Sequence, residues 1–150
     1  MFTTRQQIIT QLTNKLTEET SIIKILLGDK NSIEKEFNSL TETDFPIIVV
    51  EAGLPQLNIK FSKMEEGVIE LSRSILPVNV YCYCRCFNGV EDKAIGVLLN
   101  DVWKCICNNP NLGGVLKVVP SISQTITYNG SYAYFSIELG LEYVHSALEI

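Results

Sequence analysis

The sequence predicts an α+β domain: a mainly antiparallel sheet of about four or five strands with two or three helices packed on its apolar face. Three observations lead there. Strand-like segments with period-two alternation gather in the middle and at the end of the chain, without the regular strand-helix-strand succession of a parallel sheet. Two segments, near residues 4–17 and 91–108, repeat their apolar residues at helical spacing. The length of 150 residues suits a single domain, residues 1–150, which buries roughly 68–70% of its unfolded surface and needs no disulfide or metal to hold a core.

Each element follows in chain order. Thr3 and Thr4 each precede a Gln by three residues (Gln6, Gln7), a capping-box pattern, and Ile8, Ile9, Leu12 and Leu16 then recur on one face, so a first helix is expected over residues 4–17. Residues 21–27 are short, rich in Ile and closed by Gly28-Asp29, which favours a strand, with a continuation of the helix as the alternative. Ile33, Phe37 and Leu40, behind Asn31-Ser32, suggest a short second helix. Residues 45–51, FPIIVVE, form a β-branched run ending at Ala52-Gly53, hence a buried strand. Residues 53–74 lose periodicity and read as a mobile hairpin or long connection. From Ile75 to Phe87, Leu76, Val78, Val80, Cys82, Cys84 and Cys86 alternate with Pro77, Asn79, Tyr81, Tyr83 and Arg85, which is the clearest strand of the first half.

Glu91-Asp92 open the principal helix, with Ala94, Ile95, Leu98, Val102 and Ile106 on its apolar face, Val97, Leu99 and Trp103 widening the stripe, and Asn108-Asn109-Pro110 ending it. Leu112-Gly113-Gly114 turns the chain into a strand at Val115–Val119. Residues 123–128 and 131–145 then flank Asn129-Gly130, a strong hairpin signal. In the last strand Ala133, Phe135, Ile137, Leu139, Leu141 and Tyr143 face a core, whereas Tyr132, Tyr134, Ser136, Glu138, Gly140 and Glu142 face water.

Chemistry is sparse. A net charge of -5 and a pI near 4.9 lack the basic footprint of a nucleic-acid binder. With no run of signal-peptide or membrane-span character, a soluble protein made in the cytosol is expected. Alternate residues of a strand lie about 6.5 Å apart, whereas the sulfurs on one zinc each lie about 2.3 Å from it, so Cys82, Cys84 and Cys86 cannot all chelate one ion. Cys105 and Cys107 diverge by about 200° on a helix. All five cysteines read as reduced, small buried hydrophobes, with no metal site and no disulfide. The single histidine, His145, reads as an exposed strand-end residue, and no triad can be assembled without it. Gly113-Gly114 follows a helix and precedes a strand, the reverse of a phosphate loop. Glu65-Glu66 and Glu91-Asp92 read as solvated pairs. No catalytic residue and no cofactor is expected, and the chain is not read as an enzyme.

What stands out is the second face of the sheet, where Tyr81, Tyr83 and Arg85 share a side with Tyr132, Tyr134 and Glu138. Tyrosine and arginine are enriched in protein interfaces. An assembly interface and a solvated face with ordinary cross-strand Tyr pairs are both open.

The helix beginning TTRQQIITQL, the strand FPIIVVEAG, the long strand LPVNVYCYC, and EDKAIGVLLNDVWKCI leading through NNPNLGGV to NGSYAYFSIELGLEYV together resemble, over nearly the whole chain, the tail terminator (tail completion) proteins of long-tailed bacteriophages, that of phage lambda among them. The cysteine-rich central strand and residues 21–27 depart from that pattern. The resemblance implies a structural virion protein of the tail or neck, made in the host cytoplasm. It would form a hexameric ring, cap the growing tail tube, end its polymerisation and offer the docking surface for the head connector. Its partners would be further copies of itself, the tail tube protein and the connector or neck protein. DNA would only pass through the ring, and no membrane would be involved. In such a ring the loop over residues 62–74, carrying Lys63, Met64, Glu65, Glu66, Val68, Ile69, Glu70, Leu71 and Arg73, is expected to be a contact element, its carboxylates repelling phosphates in the channel and its apolar residues seating on a neighbour; a merely solvated loop is the alternative. A neck or head-completion protein of a phage-like particle, and a cytosolic thiol- or metal-handling protein using Cys82, Cys84 and Cys86, are the other functions considered.

Overall fold

Two strands of unusual length organise the molecule. A computed structural model describes residues 3–22, 24–40, 42–59, 71–86, 91–112, 114–146 and 150. In chain order they form α1 (Arg5–Glu19), β1 (Lys24–Leu27), α2 (Lys30–Glu34), two 3-10 turns (Phe37–Ser39 and Glu42–Asp44), β2 (Ile47–Ala52), β3 (Gln56–Ile59), β4 (Leu71–Arg85), α3 (Glu91–Asn108), β5 (Val115–Ile122), β6 (Thr127–Asn129) and β7 (Tyr132–Ser146). β4 and β7, 15 residues each, pair antiparallel along their whole length, from Leu71↔Ser146 to Arg85↔Tyr132.

Each long strand outruns a single neighbour. On its other side β4 takes β2 and then β3 end to end, and β7 takes β5 and then β6. The α+β class stands, but seven strands replace the four or five expected, in the order β1-β2-β4-β7-β5 with β3 beside β4 and β6 beside β7. β1 runs parallel to β2 and the other pairs are antiparallel, so residues 24–27 are strand rather than continued helix. Of the hairpin or long connection expected over residues 53–74, the hairpin is found: β3 and the start of β4, which begins four residues before Ile75, are consecutive strands that pair antiparallel. Short strands such as QLNI carry too few residues for alternation to reveal them.

α1 starts where its capping box sets it. The Gln7 N–H donates to Thr4 Oγ1 at 3.3 Å and the Thr4 N–H donates to Gln7 Oε1 at 2.9 Å. The main core lies on one sheet face. Leu76, Val78, Val80, Cys82 and Cys84 of β4 meet Ile48 and Val50 of β2 and the odd-numbered β7 residues Ala133 to Tyr143, under Ile8, Leu12 and Leu16 of α1 and Ile95, Leu98, Val102 and Ile106 of α3. Val97 does not widen the α3 stripe. It lies about 130° from the middle of that face at 100° per residue and is exposed.

Only α1 and α3 cover this core. Contrary to the expectation that all helices share the apolar face, α2 and the 3-10 turns lie across the opposite face, where Phe37 and Phe45 pack with Ile47, Val49, Tyr83 and Tyr132 as a second cluster. Among the described residues no helix is long and apolar enough to cross a membrane.

Candidate functional site

The second, outer face is divided along the length of β4 and β7. Residues 30–40 and 42–46 cross one end as a strap, and among the described residues nothing crosses the other end. Asp29 starts the strap by capping α2, its carboxylate accepting from the Ser32 N–H at 3.2 Å and from the Ser32 hydroxyl at 2.8 Å. Those bonds hold the Asp29 carboxyl below its ordinary pKa. Phe37, 3% exposed, then sets its ring edge-on to Phe45, Tyr83 and Tyr132, with centroids 6.0, 4.9 and 5.3 Å away. Tyr83 and Tyr132, read from the sequence as outward-facing, are therefore buried, at 0% and 8% exposure. Two phenol rings beside Ile47 and Val49 make an apolar area that the strap removes from water.

Charge ties the strap down. The Tyr83 hydroxyl donates to Glu34 Oε1 at 2.6 Å, and Lys30 Nζ stands 2.9 Å from the same oxygen. The same ammonium lies over the Tyr134 ring at 4.4 Å and the Tyr81 ring at 5.3 Å. Burial opposes the Lys30 charge, but a hydrogen bond with Tyr134 and the Glu34 carboxylate outweigh it and raise the lysine above its ordinary pKa. Burial first, then Glu34, push the Tyr83 phenol far above its usual range. Arg85 is half-buried with its guanidinium 5.8 Å from the Phe45 ring centre. Tyr81 and Tyr134 are half-buried, 6.2 Å apart, at the rim of the strap, and Glu138 is exposed beyond them.

The open end has another texture. Ile75 and Val119 are exposed on either side of Gly140, where an added Cβ would come 3.7 Å from Ile75 Cγ2, so glycine leaves a shallow apolar floor. Arg73 Nε, 3.4 Å from Glu142 Oε1, edges that floor. The expected contact residues Lys63, Met64, Glu65, Glu66, Val68, Ile69 and Glu70 lie outside the described residues, and Leu71 and Arg73, expected in the same loop, belong instead to β4. Sequence reasoning missed Lys30, Glu34 and Glu51. The Gly28-Asp29 turn was the available signal that a capped element begins there, but nothing local says which sheet face it covers.

His145 is the second correction. It is 0% exposed, because it continues the odd-numbered core series of β7. Its Nδ1 lies 2.7 Å from the Ser146 carbonyl oxygen and its Nε2 lies 2.7 Å from Ser74 Oγ. The carbonyl can only accept, so Nδ1 carries a proton. With Ser74 1% exposed, the pair satisfies its own polar groups inside the core and presents no hydroxyl to a substrate. The cysteines divide: Cys82, Cys84 and Cys105 are buried, Cys86 is half-buried, and Cys107, nearly opposite Cys105 on α3, is exposed rather than in a core. Burial raises the Cys82 thiol pKa and pushes those of Cys84 and Cys105 up to about 11, which disfavours thiolate chemistry. Among the described residues no three His, Cys, Asp or Glu side chains gather as a metal site.

Fold and site together define an α+β protein with one closed core face and one face shared between a packed strap and an open surface. Compared with known proteins, the chain matches no family model and no curated protein sequence.

Proposed function

We propose that the protein is a structural virion subunit of the tail-terminator kind, which caps the growing tail tube as a hexameric ring, ends its polymerisation and offers the docking surface for the head connector. The observation that carries this function furthest is that apolar side chains are exposed along both outer edges of one continuous sheet. On the β1–β3 side these are Leu27, Leu54 and Leu57; on the β5–β6 side they are Leu116, Ile122 and Tyr128. Two unlike apolar edges on opposite sides of a subunit suit a head-to-tail contact, the kind that closes rings. Pro120 in β5 withholds a backbone N–H and Lys117 adds a charge, so copies meet through side chains rather than by prolonging the sheet. A net charge of -5 keeps DNA phosphates from adhering to a passage through such a ring.

The whole-chain layout supports the same function, with the tail tube protein and the connector or neck protein as further partners. Sedimentation of the purified protein, together with electron imaging of tails assembled with and without it, provides the test. We expect a monomer or weak oligomer in isolation, a six-membered ring at the tail end, and tails of abnormal length without heads when the protein is missing. A closed dimer as the only assembled form would overturn the proposal.

A further inference from the structure

The hairpin at the strap end of β7 carries reactive groups that the packing does not use. Asn129 and Tyr132 close a two-residue turn, Gly130-Ser131, in which Gly130 takes φ 62°, a left-handed value that glycine adopts without strain. Cys86 holds the turn in place, its N–H donating to the Ser131 carbonyl oxygen at 2.9 Å. Asn129, Gly130 and Ser131 are exposed, and a Cβ added to Gly130 would meet nothing within 4 Å. Among the described residues the Gly130 N–H has no acceptor. The backbone nitrogen that follows the Asn129 carboxamide thus has no side chain to shield it and no hydrogen bond to hold its proton. Asn129 Nδ2 in turn donates to the Tyr132 hydroxyl at 2.8 Å, so a phenol stands beside the nitrogen that a ring closure would expel. Burial first, then Glu34, raise the Tyr132 phenol above its ordinary pKa, and it keeps its proton at neutral pH.

We infer that Asn129-Gly130 is a site of spontaneous modification, at which the folded protein loses ammonia from Asn129 with Tyr132 as the proton donor. The Gly130 nitrogen gives its proton to solvent and bonds to Asn129 Cγ, closing a cyclic imide precursor. In this tetrahedral adduct Nδ2 is no longer an amide nitrogen, and its lone pair takes the Tyr132 proton in a reversal of the ground-state hydrogen bond. The Cγ–Nδ2 bond then breaks, ammonia leaves, and the phenolate recovers a proton from solvent. Water opens the imide at either carbonyl, giving aspartate or isoaspartate, so that water is consumed as ammonia is released and nothing is oxidised or reduced. Either product adds a negative charge. The isoaspartate also lengthens the main chain between residues 129 and 130 by a carbon atom, which a two-residue turn cannot absorb without losing the Asn129–Tyr132 pair. The inference does not depend on the assembly function.

The test is to hold the full-length folded protein at neutral pH for weeks and to map it by peptide mass spectrometry, with fragmentation that separates aspartate from isoaspartate. Phe87-Asn88-Gly89 is, like Tyr128-Asn129-Gly130, an aromatic residue followed by Asn-Gly, and it serves as the reference within the chain. We expect a mass gain of about one dalton to accumulate at Asn129, with both products present. Tyr132→Phe keeps the ring beside Phe37 and removes only the hydroxyl; it should slow the Asn129 conversion at least threefold and leave that of Asn88 unchanged. Should that variant not fold, Gly130→Ala, which sets a methyl group beside the attacking nitrogen, should slow Asn129 at least fivefold relative to Asn88. No conversion at Asn129 in the folded protein, or a rate that is unchanged in the folded variant or changes equally at Asn88, would overturn the inference.

Discussion

Along the same pair of strands, the outer sheet face is built in two ways. At the Arg85–Tyr132 end, large aromatic residues recur on both strands, and the strap buries them with Phe37 and Phe45 and locks itself through Glu34 and Lys30. At the Ile75–Glu142 end, the same alternate positions hold Ile75, Pro77, Gly140 and Glu142, too small or too charged to anchor a covering element, and the surface stays open. The difference separates roles. The aromatic end is already covered by the strap, whereas Ile75 and Val119 at the other end are exposed.

Several substitutions should sharpen or break this division. The largest effect is expected for Phe37→Ala, which removes the centre of the strap cluster and should cost about 3–5 kcal/mol, measured by urea unfolding. A value near zero would mean the strap is not integral to the fold. Tyr83→Phe keeps the ring but removes the donor to Glu34, and should cost about 1–3 kcal/mol. At the open end, Ile75→Ser and Val119→Ser should each change stability by no more than about 0.5 kcal/mol while reducing capped tails; a large loss of stability there would erase the contrast between the two ends.

The smallest effect near neutrality is the pH dependence. Folded Cys82, Cys84 and Cys105 hold their protons beyond the ordinary thiol value of 9.0, and Tyr83 does so beyond the ordinary 10.0. The Lys30 pKa is also raised, from 10.5. A group whose folded pKa is raised gives its full contribution below the unfolded value and loses it as pH rises. Stability should therefore be level near pH 7, begin to fall near pH 9 and fall faster above 10. Urea midpoints measured across this range check the order, and tyrosinate absorbance should lag behind that of free tyrosine until the strap opens.

The legible part of the sequence was the part with periodicity. The alternation of Leu76 to Cys84 and of Ala133 to Tyr143, the stripe Ile95–Leu98–Val102–Ile106 and the Thr4–Gln7 box each state a local geometry, and each is found where expected. The strap was not legible. Ile33, Phe37 and Leu40 announce a short helix but not which sheet face it covers, and a tyrosine series reads the same whether solvent or Phe37 stands above it. Tyr83 and Tyr132 were misplaced for that reason. His145 was misplaced because nearness to the terminus was weighed above the odd-numbered series it continues. At the candidate site, Tyr81, Tyr134 and Glu138 could be picked out by face. Asp29, Lys30 and Glu51 could not, because they reach it from another strand end and from the strap through long-range packing.

The central claim, that the subunit works through its open surface and sheet edges while the strap stays packed inside each copy, is tested most directly by a cryo-electron reconstruction of the tail end with this protein bound. We expect a ring of six copies in which Leu27 and Leu57 of one subunit approach Leu116 and Ile122 of the next, the strap remains closed over Tyr83, and the Ile75–Val119 floor meets the tube or the connector. A tail end without the ring, or a bound form in which the strap has left Tyr83 and the open floor faces solvent, would contradict it.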